Sequence, residues 1–177
     1  EIKPIDAMNN HNTTEIFFDN VHIPGDAMIG EEGKGFRYIL DGMNAERCLV
    51  SSDSIVNSRF LPNKAIKYAN DPVVFDRPIG QNQGSQFPIA DAYIKLQSSD
   101  LVVRKATAMF EAGLRCGAEA NCGKYLSAEA LWACAEACFT THGGFAFAKE
   151  YDVERKWREA RLSRNAPISP NMIMNFI

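Results

Sequence analysis

Ala118-Glu119-Ala120-Asn121-Cys122-Gly123-Lys124-Tyr125-Leu126-Ser127-Ala128-Glu129-Ala130-Leu131-Trp132-Ala133-Cys134-Ala135-Glu136-Ala137-Cys138-Phe139-Thr140-Thr141 decides the fold. The run is rich in alanine and carries apolar residues on most faces, Tyr125, Leu126, Leu131 and Trp132 among them, so it predicts a central helix covered by others. Gly143-Gly144 ends it. Upstream, Phe87, Ala90, Ile94, Leu101 and Met109 recur at helical spacing and predict a helix over 85–112 closed by Gly113. Further back, Phe36, Ile39, Leu40, Met43, Leu49 and Val50 predict a helix to about Arg59. There Leu61-Pro62 resets the chain, a short helix covers 63–69, and 72–84 is a loop rich in Pro and Gly. Downstream, a charged helix covers 149–164, and Pro167, Pro170 and a short apolar tail follow. Long antiparallel helices with short connections make an up-and-down four-helix bundle, mainly α. The first thirty residues read as extended, with one β-rich run at Thr14–Asp19 and a second at Val21–Ile23. The expected division is 1–30, the end of a β-domain, and 31–177, the helical bundle.

The chain has 177 residues, 46% of them apolar and 23% charged, as in globular chains with a sizeable core. Its net charge of −3 gives no global attraction to nucleic acid or to an anionic membrane. No apolar run reaches the roughly 20 residues needed to span a bilayer. Glu1-Ile2-Lys3 resembles neither a signal nor a transit peptide, and the chain reads as a processed product or a piece of a longer one.

Five cysteines, an odd number without a tight framework, point to reduced thiols in an intracellular compartment. Cys134, Cys138 and His142 fall at i, i+4 and i+8, a spacing that invites a metal. No further acid or histidine completes a ligand set, so the thiols read as small buried apolar groups. Gly30-Glu31-Glu32-Gly33-Lys34-Gly35 is no phosphate loop: Met28 stands where its first Gly belongs and Gly35 replaces its Ser or Thr. Gly143-Gly144 permits close backbone approach or simply stops a helix. The charged run 150–161 holds i, i+4 pairs such as Glu154–Arg158 and fits a solvated helix face. Glu46-Arg47, amid apolar residues, fits either an exposed pair or the edge of a cleft where a desolvated carboxylate serves as a base.

Five stretches, in order, resemble the C-terminal half of the acyl-CoA dehydrogenases. They are Ile16–Pro24, Gly30–Phe36, Gly42–Val50, Phe75–Gln83 with its Pro78-Ile79-Gly80, and His142–Phe145 running on to Glu150–Arg155 and Arg161. The resemblance implies the end of the family's middle β-domain followed by its helical bundle. It also implies α,β-desaturation of acyl-CoA thioesters: a Glu removes the α-proton while the β-hydrogen leaves as hydride to FAD. Electrons pass on to an electron-transfer flavoprotein. Glu46 matches the base position that some members carry on the first bundle helix, and Asn44 and Arg47 match substrate-binding positions. Phe75, Ile79, Asn82, Gln83, Thr140, Gly143, Gly144, Ser169 and Asn171 match cofactor-binding positions, several of which serve a neighbouring subunit. The resemblance further implies a homo-oligomer, in a bacterial cytoplasm or a mitochondrial matrix.

The departures are specific. Pro167 stands at the family's commonest base position, Pro72 replaces a phosphate-pairing Arg, Thr140 replaces a Gln, and Ala146 replaces the last Gly of Gly-Gly-x-Gly. The loss at 167 and the carboxylate at 46 together select Glu46 as base. Two other readings stay open: a flavin monooxygenase or acyl-CoA oxidase on the same scaffold, and a non-catalytic helical module that drives oligomerisation. The isolated chain is expected to be inactive and to bind FAD weakly or not at all, while the intact protein binds it.

Overall fold

A computed structural model of the chain describes residues 1–9 and 12–177. They fall into two compact units, Glu1–Met43 and Asn44–Ile177.

In the first unit β1 (Ile2–Ile5) pairs antiparallel with β2 (Thr13–Ile16), Ile2 opposite Ile16 and Lys3 opposite Glu15. The terminal ammonium of Glu1 donates to the Phe17 carbonyl and the Phe17 N–H donates to the Glu1 carbonyl, both at 2.9 Å, which extends the ladder. This corrects the strand assignment. The Thr14–Asp19 run does contribute a strand, but its partner is Ile2–Ile5, and Val21–Ile23 is unpaired coil. Three residues closed by Pro24 make too short a ladder, whereas Lys3 and Glu15 add an opposite-charge cross-strand pair. Gly30 sits at φ +78°, and a Cβ there would lie 2.3 Å from the Tyr38 ring, so only glycine fits. The Tyr38 hydroxyl accepts from the Glu31 N–H at 3.2 Å.

The helices are α1 (Gly35–Asn70), α2 (Gln83–Glu111), α3 (Gly117–His142), α4 (Val153–Ser163) and α5 (Pro170–Phe176). α1 begins in the first unit and runs through the second. The expected break at Leu61-Pro62 does not occur: one helix continues to Asn70. Proline removes one backbone bond and crowds the carbonyl four residues back. Here Leu61, before the proline, and Ala65 and Ala69, beyond it, share one buried face, and that burial outweighs the lost bond. The last charged helix is also shorter than expected, because residues 149–151 form a 3-10 turn and Asp152, at φ +60°, re-aims the chain into α4. The short apolar tail, to which the sequence assigns no element, holds α5, capped by Ser169, whose hydroxyl accepts from the Met172 N–H at 3.4 Å.

α3 is the centre of the bundle, as its all-round apolar pattern requires. Leu131, Cys134, Ala135, Ala137 and Cys138 pack in one core with Ile55, Leu61 and Ala65 of α1 and Ala92, Leu96 and Val103 of α2. Side chains tie α4 down: Trp157 Nε1 donates to Glu136 at 2.7 Å, Arg164 Nε to Glu129 at 2.8 Å, and Lys156 Nζ to Asn57 of α1 at 2.8 Å. Among the described residues no helix is long and apolar enough to cross a membrane.

Candidate functional site

The connection between α1 and α2 is a miniature hairpin, β3 (Val73–Val74) against β4 (Arg77–Pro78). Its turn residues Phe75 and Asp76 both lie in the left-handed region, at φ +53° and +63°, the requirement of a two-residue type I′ turn. Phenylalanine adopts that region at a cost, and its ring is 94% exposed. Neither its backbone nor its burial stabilises it locally, so the position reads as one held for contact with something else.

Below the turn, Asn82 stands just before α2, and its side chain bonds back to the hairpin rather than to the helix. Its Oδ1 accepts from Arg77 Nη2 and its Nδ2 donates to the Ile79 carbonyl at 3.2 Å, so the hairpin fixes the amide. Gln86 Nε2 donates to the Gly80 carbonyl at 2.8 Å and locks the same turn from α2. Facing this loop is the last turn of α3. A hollow of about 270 Å³ lies between them, lined by Val74, Phe75, Ile79 and Asn82 on one side and Ala137, Thr140 and Thr141 on the other. Four of the expected cofactor positions, Phe75, Ile79, Asn82 and Thr140, thus meet across nearly sixty residues of sequence. Gln83 is exposed beside them on the first turn of α2 and does not line the hollow. Gly143 and Gly144 are exposed and open the 3-10 turn Gly143–Phe147 that leaves α3.

His142 sets the direction of that exit. Its ring is buried, stacks on Tyr68 at 4.1 Å and meets Tyr151 edge-on at 5.9 Å. Nδ1–H donates to the Cys138 carbonyl at 2.8 Å, one turn back. Burial holds its pKa below the usual histidine value; the bond to Cys138 pulls the other way, and Lys64 adds to the lowering. Cys134 and Cys138 are fully buried, and burial pushes their thiols up to about 12 and about 11. They are inert apolar fillers of the α3 core, Cys134 Sγ resting 3.7 Å from the Ala92 carbonyl. Among the described residues no three His, Cys, Asp or Glu side chains are grouped to hold a metal.

Asn44, Glu46 and Arg47 form a separate cluster on α1. Glu46 is exposed, while Arg47 is only 7% exposed and donates from Nη1 to Asn44 Oδ1 at 3.0 Å, one turn back. Its Nε is buried with no hydrogen-bond partner among the described residues. This buried guanidinium is held by a neutral amide and has no ion-pair partner among the described residues, an arrangement suited to an anionic or carbonyl-bearing ligand. Ser169 and Asn171 form a third cluster at the start of α5, Ser169 half-buried and Asn171 exposed. A larger hollow, about 640 Å³ between α1 and α2 and walled by Pro62, Ile66 and Tyr93, contains none of the expected positions. Sequence reading missed Thr141 and Ala137, which line the cofactor-side hollow one turn or less from Thr140. It also missed Lys124, whose signal was a lone cation inside the most apolar helix.

Comparison with known proteins supplies the frame for this geometry. The family description "Acyl-CoA dehydrogenase, C-terminal domain" matches residues 33–166. The chain is 33% identical over 165 residues to acyl-CoA dehydrogenase FadE12 of Mycobacterium tuberculosis H37Rv, covering 92% of this chain and 42% of that protein. It is 32% identical over 153 residues to the caffeyl-CoA reductase-Etf complex subunit CarC of Acetobacterium woodii, covering 85% of this chain and 40% of that one. A solved complex of glutaryl-coenzyme A dehydrogenase with glutaryl-CoA superposes with a TM-score of 0.93 at 27% identity, over 99% of this chain and 45% of that one. The chain therefore spans less than half the length of these relatives.

Proposed function

The chain belongs to the acyl-CoA dehydrogenase family, of which it spans the C-terminal domain, and from that premise we propose that the whole protein desaturates an acyl-CoA thioester between Cα and Cβ, with Glu46 as the base. The observation that carries this reading is the hollow between the 73–82 hairpin and the end of α3, where Phe75, Ile79, Asn82 and Thr140 converge. Those side chains fit a flavin nucleotide. Phe75 offers an exposed aromatic face, Ile79 an apolar wall, and Asn82 and Thr140 polar atoms at the rim. Gln83, Gly143, Gly144, Ser169 and Asn171 extend the same assignment. When bound, FAD supplies the acceptor for the β-hydride.

The work of the chain's own residues is positional and acid–base. Glu46 accepts the α-proton on a carboxylate oxygen, because Pro167 has no ionisable group. Its place on a long helix fixes its aim better than a loop does. Arg47, held by Asn44, offers buried N–H donors to the substrate's polar atoms. Charge developing on the thioester oxygen needs such preorganised donors in a dry site. We further propose a homo-oligomer that hands electrons to an electron-transfer flavoprotein. The relative CarC, a subunit of a caffeyl-CoA reductase-Etf complex, favours that acceptor. The named relatives are bacterial, which favours the cytoplasm over the mitochondrial matrix.

Glu46→Gln in the whole protein tests the assignment. Size and hydrogen bonding persist while the base is lost. Acyl-CoA-dependent flavin reduction should fall by at least about 100-fold, the low end of general-base contributions, with flavin content unchanged. Undiminished reduction assigns the base to another residue.

A further inference from the structure

Lys124 sits in the middle of α3 and is 1% exposed. Its Nζ donates to the backbone carbonyl of Ile168 at 2.6 Å, forty-four residues on. Among the described residues no carboxylate is paired with it; Glu129, whose charge acts on it, is bonded to Arg164. Burial lowers its pKa and Glu129 opposes that effect. An ammonium held this deeply by a single neutral carbonyl is costly, so a purely structural position would more cheaply carry methionine or leucine.

The segment it holds explains the cost. Residues 164–169 join α4 to α5; Pro167 within them and Pro170, the first residue of α5, have no N–H. The connection is therefore poor in donors of its own. The Ile168 carbonyl lies one residue before Ser169, which caps α5, and three before Asn171. α5 is short, and it rests on α3 through the buried Ile173 and through the Phe176 ring over Gly117. A helix of this length has little stability of its own. A charge-assisted bond at its entrance fixes where it starts.

We propose that Lys124 is a positioning residue for the flavin site: from the core of the bundle it pins the 166–169 connection and so places Ser169 and Asn171. This rests on the flavin reading above, and it adds a buried group that reaches the nucleotide only through two others.

The test uses the whole protein and four variants in a cycle: wild type, Lys124→Met, Ser169→Ala/Asn171→Ala, and the triple substitution. Met matches the bulk of Lys124 without its charge. In the wild-type background Lys124→Met should weaken FAD binding by about tenfold, equivalent to about 1.4 kcal/mol. In the background lacking both side chains it should change binding by less than about twofold. Equal losses in both backgrounds overturn the proposal, because a general loss of stability would not pass through Ser169 and Asn171. Hydrogen exchange at amides 172–174 reads the anchor without flavin: protection there should drop in Lys124→Met while α2 and the rest of α3 keep theirs. Unchanged exchange at 172–174 also overturns it. A wild-type protein that takes up no FAD sinks the flavin reading, and the exchange result alone then decides the anchor.

Discussion

Phe75 concentrates the conflict between folding and the proposed function at the scale of one residue. At φ +53° with an exposed ring, it gains nothing from the bundle that a glycine would not gain more cheaply. Phe75→Gly should raise stability by about 0.5–1 kcal/mol by relieving the left-handed strain and should weaken flavin binding by the whole protein. Urea unfolding and a flavin titration read the two signs separately, and a destabilised Phe75→Gly would show that the ring already packs on something in the free protein. His142 gives a pH prediction. Burial holds its pKa below 6.5 in the folded chain. As pH falls through 6.5 the unfolded histidine takes a proton that the folded one refuses, so stability falls with pH over that window. The midpoint of thermal unfolding should drop on the acid side, and His142→Gln should flatten that slope. Phe75 could be read in the sequence only through the family's motifs, whereas His142 stood out by its helical spacing from Cys134 and Cys138, without its role. Nothing local in Val74-Phe75-Asp76-Arg77 announces a type I′ turn, whose usual residues are Asn and Gly. Lys124 was legible as an oddity and illegible as an anchor, since its acceptor lies forty-four residues away.

At the scale of elements, periodicity was most informative where helices are long and one-sided. α2 and α3 fall within two residues of their expected ends, and their Gly stops at 113 and 143 are both in the left-handed region. Pro62 misled because a local rule was applied to a helix whose buried face, Leu61, Ala65 and Ala69, runs on regardless. β1 went unread because a four-residue strand carries little pattern, and its partner is chosen by pairing rather than by propensity. The α2–α3 contact shows what the alanine-rich pattern is for. At Gly123 a Cβ would meet Val103 Cγ2 at 3.4 Å and its Cα at 3.5 Å, so one carbon fits and a branched side chain does not. Gly123→Ala should be neutral or stabilising by up to about 1 kcal/mol, the helix-propensity gain. Gly123→Leu should cost at least about 1–3 kcal/mol through overpacking. Denaturant midpoints of the two variants moving the same way would show that α2 and α3 are free to separate.

At the scale of the molecule the candidate site is assembled from pieces that this chain does not enclose. The hollow beside Phe75 is about 270 Å³, below the roughly 300–1,000 Å³ of sites that bury most of a drug-sized ligand, and a dinucleotide is larger still. Gly143 and Gly144 face outward, and Ser169 and Asn171 stand apart on another helix start. Large apolar side chains, Val56, Ile94, Leu101 and Phe147 among them, are exposed on the bundle. The chain also spans only 42% of FadE12. These facts agree on one outcome. The 177-residue chain alone should purify colourless, and it should bind FAD at least about 100-fold more weakly than the whole protein, a loss of about 2.8 kcal/mol. If, as proposed, the enclosure comes both from other copies and from the rest of a longer protein, the deficit should persist at high chain concentration even when the bundles associate. Light scattering run beside the flavin titration separates the two contributions. A yellow preparation with one flavin per chain would place the whole nucleotide site within these residues and remove the need for any further cover.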